Sequence, residues 1–220
     1  MKLSNSFGFC LSLFSLVMCT ACGAAEPPSQ KIDQKATQPP ASYQDYHRAY
    51  FASGCFWCVE AIYESVKGVK EVHSGYSGGH TENPTYEQTN TGRTGHAETV
   101  EVIYDASVVS FDELLDVYFG SQNVEQVNGQ GPDRGSQYRS IIFYQTQEEK
   151  ALAERKKKQI EADWGVNVAA EIKAFEKFWM AEKYHQDYKK CNPNNSYVKA
   201  VSDPRHKAFK AKFPELIKEK

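Results

Sequence analysis

The sequence has no large excess of either charge, no apolar run long enough to cross a bilayer, and no even set of cysteines in its body. Each absence excludes a class. A formal net charge of −2 over 220 residues gives no electrostatic reason to bind nucleic acid or an anionic membrane surface. Clusters of His and Lys of the kind that grip phosphate are missing. The apolar run at residues 7–18 is short of the roughly 20 residues that a spanning helix needs. Beyond the first 22 residues only Cys55, Cys58 and Cys191 remain, and three thiols do not make a disulfide framework. They suit a small redox relay. There is one Cys-x-x-Cys, and His80, His96 and His185 match no zinc spacing, so no metal or cofactor is implied. Repeats are absent. Hydrophobic content of 40% with 25% charge belongs to a soluble globular chain, with length for one domain plus extensions.

Those extensions come first. Residues 1–25 read as a secretory signal: Lys2, the apolar run, then small residues around Cys22. Cleavage before Cys22 with lipidation of that cysteine is similar to a bacterial lipoprotein signal. Cleavage after Ala25 is the alternative. The expectation is an exported chain, periplasmic or held at a membrane by a lipid anchor. Residues 26–42 are polar, carry Pro27, Pro28, Pro39 and Pro40, and read as a disordered tether. The domain is expected over 43–220.

Within it, strands are expected at 48–53, 69–76, 98–104, 138–144 and within 166–175. Helices are expected from 56 to a stop at Gly68, at 111–118 after a Ser110/Glu113 capping box, at 147–162, and at 181–190. Two Gly-rich loops, 77–95 and 122–135, separate them, and long loops in compact domains are usually functional. The pattern is α+β, one sheet with helices packed on it.

The domain is organised around Gly54-Cys55-Phe56-Trp57-Cys58-Val59-Glu60. A strand, a glycine, a cysteine and a helix follow one another. A cysteine at a helix N-terminus faces unpaired N–H groups and the positive end of the helix dipole, which favour thiolate, the nucleophile.

At Gly54-Cys55-Phe56-Trp57 the sequence resembles the A-type peptide methionine sulfoxide reductases. Gly75-Tyr76-Ser77-Gly78-Gly79, Asn83-Pro84-Thr85-Tyr86, Thr94-Gly95-His96-Ala97-Glu98, the stretch from Gly131 to Ser140, and Tyr184-His185-Gln186-Asp187-Tyr188 extend the resemblance in order over about residues 49–193. It implies a ferredoxin-like core in a two-layer sandwich, with added helices and long loops. It implies reduction of the S epimer of methionine sulfoxide, free or in oxidised proteins, with Cys55 as nucleophile and Glu98 as proton donor. Tyr86 and Tyr138 would hydrogen-bond the sulfoxide oxygen, Phe56 and Trp57 would wall the methyl, and Asp133 would be a supporting carboxylate. Glu98 must then be desolvated enough to hold a proton near neutral pH, titrating as a coupled pair with Cys55.

The resulting sulfenic acid would condense with a second thiol. Ser196-Tyr197-Val198 stands where many relatives carry a late Tyr-Cys, which leaves Cys58 or Cys191 as resolving cysteine. Either disulfide calls for a thioredoxin-like reductant. Two rival classes remain: a thioredoxin-type disulfide oxidoreductase, which also opens a helix with Cys-x-x-Cys after a strand, and a tethered binding module with an aromatic groove.

Overall fold

The computed structural model describes residues 43–219. In chain order the elements are β1 (His47–Ala52), α1 (Phe56–Glu64), β2 (Val69–Ser77), α2 (Tyr86–Asn90), β3 (Ala97–Tyr104), α3 (Phe111–Gly120), β4 (Gly129–Gln130), β5 (Asp133–Arg134), β6 (Ile141–Tyr144), α4 (Gln147–Trp164), β7 (Glu171–Ala174), β8 (Phe178–Met180), α5 (Tyr188–Cys191) and α6 (Asp203–Lys212). The main sheet runs β7-β6-β1-β3-β2-β8, antiparallel at every pair except β6–β7. Its middle four strands with α1 and α3 make a β-α-β-β-α-β unit in the order β6-β1-β3-β2, the ferredoxin-like arrangement. The fold is α+β.

Strand alternation divides the sheet into two buried faces. Ala49 and Phe51 of β1 join Val59, Ile62 and Tyr63 of α1 and Leu114 and Leu115 of α3 in the main core. Tyr50 and Ala52 point the other way, into a smaller cluster with Ile141 and Phe143, where Phe175 stacks on Tyr50 at 3.8 Å. The central strand β3 is therefore covered on both sides and buried throughout. Its one carboxylate on the second face, Glu101, is held by the Tyr50 hydroxyl at 2.8 Å and His73 Nδ1 at 3.0 Å. Val100, Val102 and Tyr104 share the main core, and the same alternation sends Glu98 toward the start of α1.

Local signals hold where they are strong. The Ser110/Glu113 box caps α3, and Thr146 with Glu149 caps α4, which ends on a left-handed Gly165. The weaker expectations need correction. The 77–95 loop contains α2, with its own Thr85/Gln88 box, too short for periodicity to show. The strand expected at 138–144 begins only at Ile141, because Ser136–Tyr138 form a 3-10 turn. The helix expected at 181–190 is two pieces, a 3-10 turn at Lys183–His185 and α5, broken where Asp187 adopts a left-handed φ of 52°. The first helix ends at Glu64, before Gly68, and α6 was not anticipated at all.

Candidate active site

Gly54 makes the turn from β1 into α1. Its φ is +81°, and a Cβ there would lie 2.4 Å from the Gln130 Cβ, so no other residue fits without displacing the 122–135 loop. Cys55 is the N-cap of α1, and the Cys58 and Val59 amides bond back to its carbonyl. The next free amide, Phe56 N–H, donates to Glu98 Oε2 at 2.9 Å. A carboxyl group rather than the thiol takes this helix-terminal donor, which corrects the expectation that the helix end would lower the Cys55 pKa. Burial pushes the Cys55 thiol up instead, reinforced by its hydrogen bond with Cys58 and by the Glu98 charge.

Glu98 is buried, and desolvation raises its pKa to about 8. The Phe56 hydrogen bond opposes this. Such a bond to a charged group contributes roughly 1.5–3 kcal/mol, and removal from water outweighs it. Glu98 therefore holds a proton at neutral pH, as an acid for the substrate must. Cys58 behaves in the opposite way. Accepting the Cys55 S–H lowers it to about 6, and Arg205, Ser202 and Tyr197 add to the effect against burial. The two thiols titrate as one pair, with Cys55 pushed up and Cys58 pushed down.

Tyr86 opens α2, held there by its backbone N–H donating to Glu182 Oε1 at 2.9 Å. Tyr138 closes the 3-10 turn that replaced the expected strand. Burial raises the pKa of both phenols, so both keep their protons and can donate. Burial is the main cause at Tyr138, and Glu98, Tyr86, Cys55 and Asp133 are all near enough to add to it. Phe56 and Trp57 form the apolar side. Trp57 is clamped by Tyr188, stacked at 3.6 Å, and by its indole N–H donating to His185 Nδ1 at 3.0 Å. Asp133 accepts from the Tyr197 hydroxyl at 2.6 Å, and that hydroxyl lies 3.9 Å from Cys58 Sγ.

The sequence-derived set thus converges, with one exception: Cys191 is exposed at the end of α5. Cys22 lies outside the described residues. His96 braces a loop, accepting from Gly79 N at Nδ1 and bonding Thr81 O at 2.8 Å. Among the described residues no group of His, Cys, Asp and Glu is arranged to hold a metal. Sequence reasoning missed Glu182, Tyr197, Ser202 and Arg205. Only Tyr197 left a trace, as the tyrosine of the altered Tyr-Cys position.

Comparison with known proteins agrees with this geometry. Residues 47–217 match the family model for peptide methionine sulfoxide reductase. The chain is 45% identical over 171 residues to peptide methionine sulfoxide reductase MsrA of Pasteurella multocida, covering 78% of this chain and 98% of that one. It is 44% identical to the MsrA of Saccharolobus solfataricus, covering 77% and 96%. Its fold is similar to methionine sulfoxide reductase A of Corynebacterium diphtheriae, with a TM-score of 0.63, 34% identity and coverage of 68% and 76%. It is also similar to reduced Mxr1 of Saccharomyces cerevisiae, with a TM-score of 0.66, 28% identity and coverage of 73% and 92%. A buried thiol beside a protonated acid and two phenols is what thiol-dependent reduction of methionine sulfoxide requires, and by sequence and fold alike the chain belongs to the peptide methionine sulfoxide reductase family.

Proposed function

We propose that this chain reduces the S epimer of methionine sulfoxide, free or in proteins, drawing its electrons from Cys55 and Cys58. The observation that carries the reading is two buried thiols in the first turn of α1 beside a buried Glu98, which accepts the Phe56 N–H at 2.9 Å and whose pKa is raised to about 8. Cys55 sulfur attacks the sulfoxide sulfur while its proton passes to the Cys58 thiolate. Glu98 gives its proton to the sulfoxide oxygen, and Tyr86 and Tyr138 hydrogen-bond that oxygen as charge develops. Methionine leaves, and Cys55 remains as a sulfenic acid. Cys58 then attacks the Cys55 sulfur. Its proton joins the departing hydroxide as water, and a disulfide forms. Two protons and one oxygen leave as water, and the charge that began on Cys58 ends on Glu98.

Cys58 is favoured over Cys191 because it is buried against its partner, whereas Cys191 is exposed on another helix. A dithiol of the thioredoxin class restores the thiols. The epimer rests on the A-type resemblance and on the rule of one enzyme per epimer. A disulfide exchanger would have no use for the acid and the two phenols, so that alternative is not favoured.

The test is to treat the chain with stoichiometric methionine sulfoxide, count free thiols and map the disulfide by peptide mass. We expect one equivalent of methionine and a Cys55–Cys58 bridge. A Cys55–Cys191 bridge would remove Cys58 from the relay. No methionine and no lost thiols would sink the reductase reading.

Export remains part of the proposal, from the sequence of residues 1–25. The N-terminal mass of the protein made in its own cell separates a lipidated Cys22 from a start at Glu26, and an intact Met1 would overturn export.

A further inference from the structure

The two thiols of the pair face different spaces. Cys55 faces Glu98, Tyr86 and Tyr138. Cys58 borders a groove of about 640 Å³ between the end of α3, the 121–133 segment and α6. Cys55, Tyr86, Tyr138, Phe56 and Trp57 do not line it. Its walls carry two cations, Arg205 and Lys212, and one carboxyl, Asp133, already engaged by Tyr197. Small exposed residues, Ala200 and Ala208, form part of its rim.

We propose that this groove receives the thiol-bearing loop of a dithiol protein reductant, which attacks the disulfide at Cys58 from a space that Cys55, Tyr86, Tyr138, Phe56 and Trp57 do not line. The inference rests on the reductase reading and on Cys58 as resolving cysteine. Cys58 is 1% exposed, so an attacking thiol must reach inward on a protruding segment. Arg205, anchored by hydrogen bonds to Ser53 and Ser121, and Lys212 give the groove a positive charge that complements an incoming thiolate.

Thiolate–disulfide exchange needs the nucleophile in line with the bond it breaks. From the groove that line passes through Cys58 and expels Cys55. The reductant's first thiolate bonds to Cys58 Sγ, the Cys55–Cys58 bond breaks, and its electron pair goes to Cys55, which takes up a proton from solvent. The reductant's second thiol then attacks its own first sulfur. That step closes the reductant's disulfide and releases Cys58 as thiolate beside Arg205. The proton lost by the reductant's second thiol is balanced by reprotonation of Glu98. Substrate and reductant thus approach one sulfur pair from two different spaces, which meet at Asp133.

The experiment uses the full chain, oxidised by methionine sulfoxide. The probe is a thioredoxin whose second cysteine is serine, which stops at the mixed disulfide. Peptide mass is expected to place it on Cys58; a bridge to Cys55 or Cys191 would overturn the groove. In parallel, Ala208→Trp and Ala200→Trp fill the rim without touching the core. We expect KM for intact thioredoxin to rise roughly tenfold, equivalent to about 1.4 kcal/mol. Single-turnover methionine, which needs no reductant, and turnover with dithiothreitol should stay unchanged. An unchanged KM for thioredoxin overturns the proposal. An equal loss with dithiothreitol overturns the protein loop as occupant. Absence of methionine from the wild-type chain in a single turnover is a failure of the reductase reading itself, separate from the groove.

Discussion

Cys55 and Cys58 sit in one turn of α1, yet their surroundings push them in opposite directions. Around Cys55 are burial and Glu98, both of which raise its pKa. Around Cys58 are Arg205, Ser202 and Tyr197, all from the C-terminal segment, and they help lower it to about 6. The contrast separates two tasks. The substrate side keeps its protons, because a sulfoxide oxygen must receive one. The other side keeps a negative charge, because a resolving thiol must accept a proton and later depart as a thiolate. Three residues of helix are enough to give the two sulfurs different surroundings, although Tyr197 reaches both.

The largest expected effect separates the two thiols outright. Cys55→Ser should form no methionine, whereas Cys58→Ser should still deliver one equivalent, more slowly, and stop at the sulfenic acid. Trapping that acid with a 1,3-dione and weighing the adduct checks this; an adduct on Cys58 would invert the comparison.

The next effect tests the proton-holding side. The working form needs Glu98 protonated and Cys58 ionised. The first-turnover rate should therefore rise with pH through about 6 and fall through about 8. Glu98→Gln should lower the plateau on the order of 10³-fold and flatten the alkaline limb. Rapid-quench methionine yields across pH would show whether that limb survives the substitution, which would assign it to another group.

Smaller again is the loss of one oxygen-binding phenol. Tyr138→Phe should slow the first turnover on the order of 10²-fold, with the disulfide-forming step unaltered. A slowed second step would mean that the phenol serves both sides.

The smallest effect sharpens the other half of the contrast. Removing the cation by Arg205→Met should move the Cys58 titration and the acid limb upward, while the Glu98 limb stays in place. Thiolate absorbance at 240 nm reads the first, and no movement there would take Arg205 out of the account.

Much of this arrangement is legible in the chain. The strand, glycine, cysteine, helix order is local, and so are the two capping boxes, because each rests on residues within a few positions of one another. Glu98, Tyr86 and Tyr138 could be named through the family motifs. What was not legible depends on distant segments. Tyr138 was expected on a strand and lies in a 3-10 turn. Glu182 anchors the Tyr86 amide from 96 positions away. α6 has only a weak apolar face, with Phe209 as its one buried residue, so periodicity gave little sign of the helix that carries Arg205 toward Cys58.

By itself the sequence determined that two thiols would share one helical turn after a glycine that only that turn permits, with an acid and two phenols available to act on them. The tertiary structure alone decided which thiol is pushed up and which is pushed down. Spacing along a helix is a local property. Desolvation and the placing of a cation are set by every segment that packs around a sulfur, and here those segments come from both ends of the domain.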